Sequence, residues 1–271
     1  MGAVSEHRDE VGGLSVFWRT APGPQPPTLF LHGVPNSSEM WDAFLARAGG
    51  IALDLPGFGQ SAKRGDFDYS MPGYDRFLEQ FLDHAGVERV KLAAHDWGAG
   101  IGLAFAQRCP ERVAGLVIIN AVPLLPGYRW HRLARAWRTP GIGELVMGMT
   151  SRRMLRLLSR EASPRPGPMP EEFLEEILAH FDPGTQRAIL RLYRSAPASV
   201  LEHAGEQLGS LRCPALVVSG DRDPYIPPSF ADDYGRALPE ARVLHVADAG
   251  HWPWLDEPTL VDEVVEFLGG A

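Results

Sequence analysis

The stretch AAHDWGAG, residues 93–100, decides how the rest of the chain is interpreted. It overlaps the short apolar run VKLAA (90–94), which is typical of a buried strand, and it precedes a helical pattern over 101–108. Asp96 is therefore predicted to lie in a tight turn between a strand and a helix, with small residues on both sides. Such a turn is a nucleophile elbow, which exposes one reactive side chain at the end of a strand.

The residue presented by this elbow is an aspartate, where esterases and lipases present a serine. A carboxylate is ionised at neutral pH without the help of a base, so it can attack an electrophilic carbon and form a covalent ester. Taken alone, Asp96 is better interpreted as a cap of the following helix. The rest of the site decides between these two interpretations.

The composition is that of an ordinary globular protein, with 271 residues, 45% hydrophobic and 22% charged. The net charge of −8 disfavours binding to nucleic acid. Cys109 and Cys213 have neither metal-binding nor redox spacing, and we predict no metal and no cofactor. Residues 1–10 contain no signal-peptide core and no apolar run is long enough to span a membrane, so we predict a cytoplasmic protein without a membrane partner.

Short apolar runs alternate with helical patterns along most of the chain. Because these runs are apolar throughout rather than alternating, they predict a buried, mainly parallel sheet flanked by helices. An additional run over 14–18 alternates enough to be an edge strand. The predicted buried strands are 28–31, 51–53, 90–94, 116–119, 215–219 and 242–246.

The strand pattern stops after residue 123 and resumes only near residue 215. Between them lie arginine-rich helical stretches and a proline-rich break at 163–168. We therefore predict three segments: a first part of an α/β core (1–123), a helical cap (124–208) and a second part of the core (209–271).

Three residues occur in the order of an α/β-hydrolase triad, which is nucleophile, acid and histidine. These residues are Asp96, Asp223 and His251, and each lies in a loop that follows a predicted strand. Open α/β sheets bind their ligands in such loops. Their joint order favours a catalytic interpretation of Asp96 over a capping one.

Several motifs together resemble the α/β-hydrolase superfamily, in the branch of the epoxide hydrolases and haloalkane dehalogenases. They are HGVP (32–35), DLPGFGQS (54–61), HDWG (95–98), GDRDP (220–224) and GH (250–251). A weaker likeness to the dehalogenase cap is RTPGIGE (138–144). The resemblance implies an α/β-hydrolase fold with an inserted helical cap.

The resemblance also implies roles for five residues. Asp96 attacks carbon, and the backbone N–H groups of Val34 and Trp97 form the oxyanion hole. His251 deprotonates water, while Asp223 orients and stabilises the imidazolium. The implied partners are a small apolar electrophilic substrate and water.

Some dehalogenases place the acid after the preceding strand, where this chain has Asn120. An asparagine cannot supply the charge, which strengthens the assignment of Asp223. His95 precedes the nucleophile and is expected to point away from its side chain.

Opening of an epoxide requires a proton donor to the alkoxide, and epoxide hydrolases use cap tyrosines for this. Tyr193 resembles one of these positions, and Tyr128 is a candidate for the second. The alternative for Tyr193 is a buried tyrosine on a cap helix without a catalytic role.

Expulsion of a halide requires N–H donors instead of a proton. Trp97 matches the halide-binding tryptophan, but the second donor is often an asparagine at the position of Val34. A cap tryptophan, Trp130 or Trp137, could take its place.

The sequence thus does not decide whether the leaving group is an epoxide oxygen or a halide. Epoxide hydrolysis to vicinal diols is the first choice, and dehalogenation of haloalkanes to alcohol and halide is the alternative. A non-catalytic small-molecule receptor on the same fold is a third interpretation, which the intact triad disfavours. The oligomeric state cannot be derived from the sequence.

Overall fold

The computed structural model describes residues 3–164 and 169–270 and contains one eight-stranded sheet, with the strand order β1-β2-β4-β3-β5-β6-β7-β8. The two pairings of β2, with β1 and with β4, are antiparallel, and the remaining strands pair in parallel. The strands are β1 (Ser5–Val11), β2 (Leu14–Ala21), β3 (Thr28–Leu31), β4 (Gly50–Leu53), β5 (Val90–His95), β6 (Val113–Ile119), β7 (Ala215–Gly220) and β8 (Ala241–Val246).

Helices cover both faces of this sheet, because successive residues of its buried strands point to opposite sides. Leu29 and Leu31 belong to one hydrophobic core, and Phe30 between them belongs to the other. The helices are α1 (Asp42–Ala48), α2 (Met71–His84), α3 (Trp97–Arg108), α4 (Arg132–Arg138), α5 (Ile142–Met149), α6 (Arg152–Ala162), α7 (Glu171–His180), α8 (Pro183–Ser195), α9 (Ala198–Ala204), α10 (Ser229–Ala237), α11 (Pro253–Asp256) and α12 (Leu260–Gly270).

The prediction of an α/β-hydrolase fold with a mainly parallel sheet is confirmed, but its edge differs from the expectation. The edge strand is β1, whose sequence SEHRDEV is polar and mostly exposed and therefore gave no strand signal. It is ordered by pairing with β2 across a turn in which Gly12 and Gly13 have φ of 57° and 79°. The predicted edge strand, β2, consequently lies second in the sheet.

A helical insertion lies between β6 and β7 and contains α4 to α9, and the cap bounds of 124–208 stay a prediction. Its described residues form no strand, and residues 165–168 of the predicted proline-rich break lie outside the described part of the chain. The insertion is tied to the core by Lys63, which pairs with Asp182 at 2.7 Å, and by the Thr185 hydroxyl, which donates to the carbonyl of Gly57. In the described ranges no helix has the length and apolarity that a membrane crossing requires.

Candidate active site

Asp96 lies in the turn between β5 and α3 with φ of 51° and ψ of −119°. A positive φ is uncommon for a residue with a side chain and marks strain that the surrounding packing must hold. The turn requires small neighbours, since a Cβ on Gly98 would collide with the carbonyl oxygens of Leu31 and His32. The glycine at this position therefore allows the elbow to press against β3.

The two carboxylate oxygens of Asp96 face different partners. Oδ1 accepts a hydrogen bond of 3.0 Å from the backbone N–H of Val34. Oδ2 lies 3.8 Å from Nε2 of His251. Burial raises the pKa of Asp96 to about 6, although nearby His251 and the N–H groups of Val34 and Trp97 favour the charged form. The carboxylate is thus mostly ionised at neutral pH while remaining out of water.

His251 and Asp223 form a buried pair beside this carboxylate. Nδ1 of His251 lies 2.7 Å from Oδ2 of Asp223, whose Oδ1 accepts hydrogen bonds from the N–H groups of Tyr225 and Ile226. Burial disfavours the imidazolium, but the charges of Asp223 and Asp96 outweigh it and raise the pKa of His251 above its ordinary value. The Nε2 edge of the ring faces Asp96.

The backbone of His251 is held on both sides. Its carbonyl accepts from Nε2 of His95 at 2.8 Å and from Nδ2 of Asn120 at 3.0 Å. Its N–H donates to the carbonyl of Ala162, the last residue of α6, at 2.8 Å. His95 therefore contacts the histidine loop, and Asn120 serves as a brace between β6 and this loop.

A cavity of about 230 Å³ lies between the core and the helical insertion. Asp96, Val34 and His251 line it from the core, and mostly apolar side chains of the insertion line it from the other side. The shape and lining are those of a small-molecule site with few, converging polar groups.

Tyr193 and Trp137, two predicted leaving-group residues, lie on the wall of this cavity. Trp97 is buried beneath them. The centroid of the Tyr193 ring lies 5.1 Å from the centroid of the Trp97 ring and 5.0 Å from that of the Trp137 ring. The Nε1 atoms of Trp97 and Trp137 are buried, and neither makes a well-aligned hydrogen bond with a described residue. The N–H of Trp97 nevertheless lies near the phenol oxygen of Tyr193, where it favours the ionised phenol. Burial raises the pKa of Tyr193 well above its usual range, and the charge of Asp96 adds to this.

The other two predicted pocket residues, Tyr128 and Trp130, do not line the cavity, and neither does Trp97. Nε1 of Trp130 donates to the carbonyl of Ala196 at 3.0 Å, so this N–H is not available to a leaving group. The ring of Tyr128 packs between Trp130 and Phe230. Both residues precede α4, which begins at Arg132, whereas Trp137 lies within that helix.

His131 lines the cavity and was missed by the sequence analysis. Its side chain caps α4, with Nδ1 accepting from the N–H of Ala134 at 3.3 Å. Burial and the proximity of His251 lower its pKa to about 4, so the ring is neutral and carries its proton on Nε2. The signal that could have identified it is a histidine directly before the first turn of an arginine-rich helix.

A second aspartate–histidine pair lies outside the site. His245 contacts Asp221 at 2.6 Å on the surface, where both side chains are about one-third exposed. The described part of the chain contains no group of three or more His, Cys, Asp or Glu side chains arranged to hold a metal ion.

Comparison with known proteins agrees with this geometry. The family model described as alpha/beta hydrolase fold matches residues 26–139 and 157–258. A haloalkane dehalogenase of Mesorhizobium japonicum is 29% identical over 249 residues, covering 84% of this chain and 79% of the relative. A haloalkane dehalogenase of Mycolicibacterium paratuberculosis is 30% identical over 220 residues, covering 74% of this chain and 69% of the relative.

Solved structures give the same result. The crystal structure of haloalkane dehalogenase DbeA from Bradyrhizobium elkani USDA94 superposes with a TM-score of 0.86 at 27% identity, covering 99% of this chain and 98% of that one. The chain is therefore a hydrolytic enzyme of the α/β-hydrolase superfamily and belongs to its haloalkane dehalogenase branch.

Proposed function

We propose that this enzyme is a haloalkane dehalogenase, which converts small apolar haloalkanes and water to alcohol and halide. The sequence alone places epoxide hydrolysis first, but the haloalkane dehalogenases among the relatives support the alternative better. The division of labour at Asp96, where Oδ1 contacts an N–H donor and Oδ2 faces the histidine, supports a covalent mechanism that both candidates share. The observation that carries the choice of a halide is the set of haloalkane dehalogenases among the relatives.

In the first half-reaction, Oδ2 of Asp96 attacks the carbon that bears the halogen. A C–O bond forms, the C–halogen bond breaks, and the halide leaves with the bonding electron pair. The buried indole N–H groups of Trp97 and Trp137 are the donors we assign to this anion. The helical insertion acts as a cap that keeps this step away from bulk water.

In the second half-reaction, His251 takes a proton from a water molecule as the water oxygen attacks the carboxyl carbon of the ester. The negative charge then develops on Oδ1, which already accepts a hydrogen bond from Val34 and lies next to the N–H of Trp97. Collapse of this intermediate expels the alcohol oxygen, which receives the proton from His251. Asp223 stabilises the imidazolium that exists between these two transfers.

Epoxide hydrolysis is a second candidate function, favoured by the polar groups on the insertion side of the cavity. Tyr193 and His131 both line it, and both carry a proton at neutral pH, on the phenol oxygen and on Nε2 respectively. A ring opening at Asp96 produces an alkoxide, which such donors protonate.

The two candidates are separated by a matched pair of substrates, 1-bromohexane and 1,2-epoxyhexane, incubated with the purified full chain. We expect release of bromide, measured against the Asp96→Ala variant as the blank. Formation of the diol without release of bromide would replace the proposal by the epoxide candidate. If the enzyme turned over neither substrate, nor any haloalkane or epoxide of another chain length, both candidate functions would be rejected.

A further inference from the structure

The outer surface of α5 and α6 carries most of the exposed large hydrophobic side chains of the described chain. Of seven such residues, five lie on these two helices: Ile142, Leu145, Met149, Met154 and Leu157. Leu145 is 62% exposed and Leu157 is 56% exposed. On α5 the spacing of 142, 145 and 149 places three of them on one helical face.

This apolar surface is continuous with the cavity. Met149 at the end of α5 and Met154 near the start of α6 line the cavity and are exposed to solvent at the same time. The turn between α5 and α6 is therefore at the mouth of the cavity. Single exposed apolar residues are common on protein surfaces, whereas a contiguous group of them marks an interaction site. The apolar side chains at this entrance form such a group.

The same part of the chain is basic, although the protein as a whole is acidic. Residues 129–161 contain eight arginines and two glutamates, whereas the whole chain has a net charge of −8. Arg153, Arg160 and Glu161 are exposed and, by helical spacing, lie on the side of α6 that carries Leu157, which leaves this side with an excess of positive charge. Arg152 and Arg156 turn instead toward α7, where they pair with Glu171.

We propose that the α5–α6 face, formed by Ile142, Leu145, Met149, Met154, Leu157, Arg153 and Arg160, docks on an anionic lipid surface. Exposed apolar side chains flanked by arginines are the combination with which interfacial helices insert between head groups and neutralise lipid phosphates. A second copy of the chain fits this face less well, because two basic surfaces repel each other.

Docking in this orientation places the mouth of the cavity on the lipid, where apolar substrates concentrate. The contact is peripheral and needs no membrane-spanning helix. The sequence-based prediction of no membrane partner considered only spanning segments and did not address a surface of this kind.

The test is flotation of the purified full chain with vesicles of phosphatidylcholine alone or with 30% phosphatidylglycerol. We expect the chain to bind the anionic vesicles and to dissociate as the salt concentration rises. The double substitution Arg153→Gln and Arg160→Gln should weaken binding about 25-fold, at roughly fivefold for each arginine. Leu145→Glu together with Leu157→Glu should reduce binding at least as strongly. None of these residues lines the cavity, so turnover of a dissolved substrate should remain unchanged.

Val200→Glu is the matched control, because Val200 is an exposed apolar residue on a different helix, α9. Equal loss of binding in the control, or binding that is insensitive to salt and lipid charge, would overturn the proposal. The proposal would also be overturned if the chain did not bind vesicles, or if it formed a dimer in solution that the Leu145→Glu change dissociates. The readout is binding rather than turnover, so it stands or falls independently of the proposed dehalogenase activity.

Discussion

Nε2 of His251 lies 3.8 Å from Oδ2 of Asp96, which is close enough to act on an ester at that oxygen but too far for a hydrogen bond. The imidazole is held instead by Asp223, at 2.7 Å on its other edge. Nucleophile and base are thus adjacent but separately supported. Variants of the two residues should therefore interrupt different halves of the reaction.

The first prediction concerns the nucleophile. Asp96→Ala should reduce turnover by at least about 10⁴-fold, because no other group can form the ester. Folding should not suffer, since burial raises the pKa of this carboxyl to about 6 and its ionised form at pH 7 opposes folding by as much as about 3 kcal/mol. We expect a thermal midpoint at pH 7 equal to or above that of the wild type. Substantial turnover by a folded Asp96→Ala protein would contradict the covalent mechanism.

The second prediction uses two aspartates of the same motif. Asp223→Asn should slow the reaction by roughly 10³–10⁴-fold, because the imidazolium of His251 loses its buried counter-charge. Asp221→Asn is the matched control, since Asp221 pairs with His245 on the surface and should leave turnover unchanged. Steady-state rates of both variants check this. An equal loss in both would mean that the loop conformation, rather than the charge of Asp223, supports catalysis.

The third prediction separates alkylation from hydrolysis. His251→Gln removes the base but leaves Asp96 able to attack, so the ester should accumulate after mixing with substrate. Intact-mass measurement should show the chain heavier by the alkyl group of the substrate. Normal turnover by this variant would remove His251 from its assigned role.

The fourth prediction follows from the pKa values of the two groups. Alkylation needs ionised Asp96, so its rate should fall as the pH drops through about 6. Hydrolysis needs neutral His251 in the ester, where Asp96 has lost its charge but Asp223 still favours the imidazolium, so we expect hydrolysis to be lost first on acidification. The wild-type ester should therefore accumulate in mildly acid solution. In His251→Gln the midpoint for alkylation should move upward, because the histidine charge that favours ionised Asp96 is gone. Single-turnover rates between pH 5 and pH 8 measure both effects.

Features that depend on local sequence could be predicted, and features that depend on distant packing could not. The elbow at Asp96 follows from an apolar strand, small residues and a helix in direct succession. The edge strand β1 could not be predicted, because its polar residues are ordered by backbone pairing with β2 rather than by burial. His131 gave no periodic signal, since its place on the cavity wall depends on how α4 packs against α5 and α8.

The same limit applied to the cap tryptophans. The spacing of Trp130 and Trp137 predicts one shared helical face, but α4 begins only at Arg132. Trp130 is therefore in the preceding segment, where its indole N–H donates a hydrogen bond to the carbonyl of Ala196. Hydrogen-bond partners of this kind come from residues far along the chain, and no local pattern indicates them.

The last prediction concerns the leaving group, measured by single-turnover alkylation. On 1-bromohexane, Trp97→Phe should slow formation of the ester by about 10²–10³-fold, the usual cost of removing one donor to a developing anion. Trp130→Phe is the matched control, because it removes an indole that stacks on Trp97 but whose N–H is already bonded to Ala196. Its alkylation rate should change little. A loss of equal size in both variants would attribute the effect to packing of the aromatic cluster.

Tyr193→Phe provides the opposite arm of the same experiment. It keeps the ring that contacts Trp97 and Trp137 and removes only the hydroxyl, so alkylation by 1-bromohexane should be nearly unchanged. On 1,2-epoxyhexane the same change should cost about 10²–10⁴-fold if the phenol protonates the alkoxide. If the rate of alkylation falls in Trp97→Phe and not in Tyr193→Phe, the result supports release of a halide. The reverse dependence would assign the cavity to epoxides and give the phenol, not the indoles, the role of leaving-group donor.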